Sequence, residues 1–325
     1  MQAETAREWS VRRRGLRWAL LPCLVTTWMS LAEAADAVQR SAFLLGPRAE
    51  EQILRGIDRF MDLDLGGARE AFGSLQGPVG LLLGPYFDAV ITFQSTVEPL
   101  GGAGEWKRAV GELGAALPPI LQEAEIMLRE DPENPDLLLT TALIRGTLAS
   151  VDGARGRYLA AVGGLRSTHA LLRRTLAIEP GRVDALWALG VYEYWVSQVP
   201  LLLKPLVRLL LPRGNRATGL ARIREAAERG RLTRIPAQVT LLRIHAGREE
   251  NWSAAVPYAE ALAARYPASP EFRFLLAFLY SELGRAQAAS GVADAIHTAI
   301  ERGEPTYPAE TRPRYWQLLG KLAMD

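Results

Sequence analysis

The side chains best suited to chemistry in this 325-residue sequence are arginines. Between positions 204 and 234, nine basic residues (Lys204, Arg208, Arg213, Arg216, Arg222, Arg224, Arg229, Arg231 and Arg234) stand against only Glu225 and Glu228, an excess of seven charges in 31 residues. A guanidinium is a planar fork of N–H donors that matches carboxylates and phosphates, so such a cluster can bind anions. The competing reading is that these arginines pair with acids elsewhere and cover a solvated face. Just upstream, Trp187, Tyr192, Tyr194 and Trp195 crowd one stretch. On a helix, positions 187, 191 and 194 share a face while 192 and 195 lie on the next. At least one of these faces belongs to a core, and the other is free to line a groove for a peptide or an apolar ligand. The candidate binding residues are therefore Arg213, Arg216, Arg222, Arg224, Tyr192, Tyr194 and Trp195. A second charged block runs the other way: residues 123–136 hold six acids against Arg129 alone.

Catalytic and metal-binding patterns are missing from the sequence. There is no GxxxxGK[ST], HExxH or GxSxG, and one cysteine excludes a disulfide scaffold or a Cys-rich metal module. His169, His245 and His297 are scattered, with no His or Cys neighbour at ligand spacing. The pair Glu249-Glu250 reads as solvated turn residues. The expectation is a non-enzymatic protein without cofactor or metal.

The N-terminus reads as a leader. Arg12-Arg13-Arg14-Gly15-Leu16-Arg17 is a positive region, Trp18 to Leu31 is apolar, and Ala32-Glu33-Ala34 fits a small-x-small cleavage site. The apolar run is short for a membrane span of roughly 20 residues, and Pro22 interrupts it. Export to a periplasm is the expectation, with an uncleaved N-terminal anchor as the alternative. Residues 1–35 hold five of the 38 Lys and Arg and three of the 36 Asp and Glu, leaving 33 of each. The remaining chain is formally neutral, so its charge gives no case for nucleic acid. Mean hydropathy of +0.01 and eight tryptophans exclude a disordered chain.

From residue 36 onward the apolar spacing is helical. Three amphipathic segments end alike, at Pro132, Pro180 and Pro267, each followed by a new apolar helix. Small residues (Ala255, Ala259, Ala277, Gly284, Ala289 and Ala293) sit where paired helices approach closely, and Gly67–Phe72 has the form of a repeat's second helix. The spacing is irregular: 48 residues separate Pro132 from Pro180, and 87 separate Pro180 from Pro267. Val90-Ile91-Thr92-Phe93 is the best strand candidate, though a buried helix fits equally. Gly-Pro and Gly-Gly pairs between 66 and 104 predict short pieces there. The organisation expected is a leader over 1–35, an N-terminal helical region over 36–116, and helical repeats over 117–325 with a Leu/Pro-rich and Arg-rich insertion at 199–234. The Leu-rich stretch 199–212 reads either as a helix inside the array or as a segment resting on an anionic bilayer.

This pattern resembles the tetratricopeptide repeat, a helix–turn–helix unit of about 34 residues. The central block is similar to the tetratricopeptide repeat protein 39 and mitochondrial outer-membrane inclusion-clearance family. It does so through Gly190-Val191-Tyr192-Glu193-Tyr194-Trp195, Pro200 to Lys204, Leu209 to Arg216, and Gly219-Leu220. At the level of exported degenerate repeats, the chain also resembles the TatT-type helical accessory proteins of bacterial solute transporters. The resemblance implies an all-α, degenerate solenoid of antiparallel helix pairs and an adaptor role. Two expectations follow. A scaffold for a protein or peptide partner in the cell envelope should present an open charged groove with Arg216, Arg222 and Arg224 exposed. A carrier of a small or lipidic ligand should enclose an apolar cavity, expected along 199–211.

Overall fold

Twelve α-helices account for most of the described chain, which the computed structural model covers over residues 45–97, 103–198 and 209–307, with Arg312, Tyr315 and Leu319. They are α1 (Pro47–Met61), α2 (Leu65–Gly73), α3 (Gly77–Val97), α4 (Ala103–Glu130), α5 (Pro135–Ala154), α6 (Tyr158–Ile178), α7 (Asp184–Ser197), α8 (Arg216–Arg229), α9 (Arg234–Arg243), α10 (Trp252–Arg265), α11 (Pro270–Glu282) and α12 (Ala286–Glu301). A π-helical turn over Ile244–Arg248 closes α9, and no strand occurs among the described residues. The expectations for the leader and for most of the 199–212 stretch lie outside the described residues.

Local chemistry sets the helix boundaries. The side chains of Asp64, Asn134, Asn215 and Asn251 each accept a backbone N–H from the first turn of α2, α5, α8 and α10. Proline occupies the first turn of α1, α5 and α11, where its missing donor costs nothing. α4, α6 and α10 stop at Glu130, Ile178 and Arg265, each two residues before one of the three prolines that the sequence marks as terminators. Gly284 closes α11 at φ 66°, a conformation that a side chain resists.

Each helix packs on its successor, producing a repeat-like all-α array of antiparallel pairs. The pairings α5/α6, α7/α8, α9/α10 and α11/α12 repeat one unit four times. In α7/α8 the backbones meet: a β-carbon on Gly190 would lie 2.7 Å from the Gly219 carbonyl oxygen, and one on Gly219 would lie 2.7 Å from the Tyr194 nitrogen. Around that crossing Tyr194, Leu220, Ile223, Ala227, Ala237 and Leu241 form one core cluster. Phe274, Ala277, Ala293, Ile296 and Tyr307 form another in the last pair.

The structure decides between the two readings of Val90–Phe93 and limits the expectation of short pieces. Val90–Phe93 is not a strand but lies within α3, where Ile91 is almost fully buried; packing overrides the β preference of the branched residues. The Gly-Pro pairs act unequally: Gly77-Pro78 opens α3, with Gly77 at φ 62°, whereas α3 runs unbroken through Gly84 and Pro85. The 87-residue interval holds two full helix pairs, because the first of them ends at Gly230 rather than at a proline.

The N-terminal helix α1 does not extend the array but crosses it. It and its flanking residues tie successive loops: Leu45 N donates to Asp136 Oδ2 (2.8 Å), Glu50 pairs with Arg231, Asp58 accepts from Arg265 and Tyr266, and Asp62 Oδ1 accepts from Ala268 N (3.0 Å). All four anchor points lie where one pair gives way to the next. In 18 residues, α1 and its flanks bind the start of α5 to the start of α11.

Candidate functional site

Beneath α1 lies a cavity of about 170 Å3. Ile53, Ile57, Phe60 and Met61 of α1 form one wall, and Tyr86, Phe87, Val90 and Ile91 of α3 a second. The leading helices of three pairs complete it through Leu139, Thr140 and Leu143 of α5, Asp184, Trp187 and Ala188 of α7, and Pro236 of α9. Leu232 and Thr233 close the floor.

The polar groups on this wall are turned into the protein. Tyr86 Oη and Thr147 Oγ1 are 3.0 Å apart, and Trp187 Nε1 donates to Thr240 Oγ1 at 3.0 Å. One oxygen of Asp184, Oδ1, accepts from the backbone nitrogens of Arg231, Leu232 and Thr233 and from Thr233 Oγ1, at 2.8–3.0 Å. Burial pushes the Tyr86 phenol above its ordinary value, so it stays protonated. The remaining wall hydroxyl is that of Thr140. What the wall presents to an occupant is apolar surface.

The sequence-nominated residues lie elsewhere, in a band around α7 and α8. Buried Tyr194 donates to Glu249 Oε1 (2.6 Å), and Arg216 Nε reaches both oxygens of the same carboxylate (2.9 and 3.0 Å). The Arg216 hydrogen bond holds the Glu249 carboxyl down at about 2. Arg222 pairs with Glu193. Tyr192 donates to the Pro212 carbonyl (2.9 Å) and packs on His169, and burial raises its phenol to about 12. Trp195 meets Tyr194 edge-on and is half-exposed. Arg213 and Arg224 are exposed. The basic stretch thus meets acids from near and far: Arg216 with Glu249, Arg222 with Glu193, Arg229 with Glu225, and Arg231 with Glu50.

His169 and His245 are both pushed below the ordinary histidine value, first by burial and then by neighbouring arginines. Among the described residues no group of three His, Cys, Asp or Glu could hold a metal ion, and no helix is long and apolar enough to cross a membrane. Of the aromatic crowd, Trp187 alone reaches the cavity. Sequence reasoning missed the α1 wall, although Ile53, Ile57, Phe60 and Met61 fall on one helical face opposite Glu51 and Arg55. No protein-family model matches the chain, and no curated protein matches it either.

Proposed function

We propose that this chain is a non-enzymatic helical-repeat protein that holds a small apolar ligand, or the end of a lipidic one, between α1 and the inner face of the array. The observation that carries this reading is the cavity beneath α1, whose wall is largely apolar and whose polar groups, the Thr140 hydroxyl apart, bond to the protein. A cavity of about this size lined by Leu, Ile and Phe admits a benzene-sized molecule, so a ring or a chain of about six carbons fits. Filling 170 Å3 of such space recovers up to about 4 kcal/mol. This partly open apolar pocket supports the ligand-carrier expectation, with α1, α3, α5 and α7 as its wall in place of 199–211. The scaffold expectation calls for exposed Arg216, Arg222 and Arg224; Arg216 and Arg224 are exposed and Arg222 is half-buried, but Arg216 and Arg222 are already engaged by Glu249 and Glu193. The leader features support a site of action in the cell envelope.

Calorimetric titration with toluene tests this. Binding is expected in the wild type and is expected to vanish in Ala188→Phe, which places a ring in the cavity and should raise Tm. Equal binding by both proteins, or none by either, would refute the reading. Discrete capture of an envelope protein that is lost on Arg216→Glu and Arg222→Glu would move the function to a scaffold.

A further inference from the structure

The exposed apolar side chains of this molecule are unevenly placed. Along α3 to α8, neighbouring helices alternate in direction, and close contacts fix their register. A β-carbon on Gly114 of α4 would lie 2.9 Å from Val151 Cγ1, one on Gly164 of α6 would lie 2.8 Å from the Ala149 β-carbon, and one on Gly190 of α7 would lie 2.8 Å from Ile223 Cγ1. This alternation gathers at one end the start of α4, the α5–α6 turn, the end of α7 and the approach to α8. Trp106, Tyr158, Leu159, Trp195 and Leu209, five of the eight exposed large hydrophobics among the described residues, lie there. Tyr158 is 71% exposed and Leu159 86%, in a run (154–160) where every residue is exposed. Turn tips are ordinarily small and polar, and clustered exposed apolar residues mark a contact surface.

Exposed charge at this end is basic in excess, with Glu105 beside Trp106 as the exposed acid of the first turn of α4. Lys107, Arg155 and Arg213 are exposed and have no acidic partner among the described residues. Two nearby acids are already engaged, Asp152 by Arg157 and Glu249 by Arg216. At the opposite end of α4, Glu130 and Glu133 are exposed instead. Aromatic rings and a protruding leucine set among lysine and arginine suit the headgroup layer of an anionic bilayer: the rings sit at the interface and the cations meet lipid phosphates. We infer that this end of the array docks on an anionic membrane surface, with Tyr158 and Leu159 inserted to the depth of the headgroups. This surface stands apart from the cavity, so either inference can fail without the other.

The test uses the full chain with Cys23→Ser, labelled with an environment-sensitive dye at Leu159→Cys or, as a comparison, at Ile178→Cys at the other end of α6. Vesicles of phosphatidylglycerol and phosphatidylcholine are expected to blue-shift the dye at 159 and shield it from an aqueous quencher. The dye at 178 should not respond, and phosphatidylcholine alone should move neither. Tyr158→Ser with Leu159→Ser is expected to weaken partitioning by about tenfold or more. A dye at 159 that stays in water while the chain pellets with vesicles would assign attachment to the leader and overturn the inference. Unchanged partitioning of the double variant would overturn it too, as would a shift at 159 that appears only with envelope proteins.

Discussion

Asp58 and Arg265, 207 positions apart, meet in a two-pronged ion pair: Arg265 Nη2 lies 2.9 Å from one carboxylate oxygen and 3.0 Å from the other. Tyr266, nearly fully buried, adds its hydroxyl to Asp58 Oδ1 at 2.6 Å. A helix at the start of the described chain is thereby fastened to the last helix pair but one. A solenoid is otherwise held by neighbour contacts alone, so this link constrains its curvature and keeps α1 over the cavity.

The ion pair is half-exposed and contributes little by itself. The larger effect of Asp58→Ala comes from the buried Tyr266 hydroxyl, which keeps Arg265 Nε as a donor but loses the acceptor of its own proton, at a cost of about 1–3 kcal/mol. Tyr266→Phe in the same background should recover part of that loss, because no hydroxyl proton without an acceptor then remains. Urea unfolding of the two single variants and the double variant checks this; strict additivity would rule out the coupling.

Acid should weaken the fold through Glu249. Its folded carboxyl sits at about 2, against an ordinary 4.5, chiefly because Arg216 bonds to it. A depressed carboxylate contributes stability that is complete above its unfolded value and is lost as pH falls toward the folded one. The contribution should therefore disappear progressively between about pH 5 and pH 2. In Glu249→Gln the acid limb of the stability–pH curve should flatten across that window. An unchanged slope would show that the pair carries no pH-dependent stability.

Gly190→Ala should destabilise the chain although alanine favours helix by about 1 kcal/mol. The added methyl would meet the backbone oxygen of Gly219, which cannot rotate away, and α7 and α8 would have to separate, at a cost of about 1–3 kcal/mol net. Gly163→Ala, on a helix surface with nothing near its β-carbon, should be neutral or stabilising. Thermal unfolding of both variants separates the crossing from simple propensity; matching shifts would contradict the packing argument.

Helix ends were legible in the sequence wherever a proline enforces them, as at Pro132, Pro180 and Pro267. The boundary at Gly230 was not, because an extended glycine looks the same in sequence whether or not it ends a helix. Two pairs therefore read as one long interval. Val90–Phe93 read as a possible strand because branched residues favour strands, and only the surrounding helices decide otherwise. The cavity was illegible for a different reason: its walls come from positions 45 to 236, and no local pattern shows α1 folding back. The arginine cluster was visible as charge, yet the distant partners that satisfy it, such as Glu50 for Arg231, are set by topology.

Asp184 should prove the most sensitive polar position near the cavity. It is buried, and its single oxygen Oδ1 collects three backbone N–H groups and a hydroxyl from the turn that leads into α9. In Asp184→Ala all four donors lose a charged acceptor, and the loss of these hydrogen bonds in a part-buried turn costs about 3 kcal/mol. Asp184→Asn retains an acceptor but removes its charge, so about half that loss is expected. The same turn supplies Leu232 and Thr233 to the floor of the cavity. The asparagine variant should therefore stay folded yet bind toluene more weakly, because a loosened floor no longer encloses the ring. Undiminished binding by that variant, at a stability near wild type, would mean that the carboxylate does not position the floor.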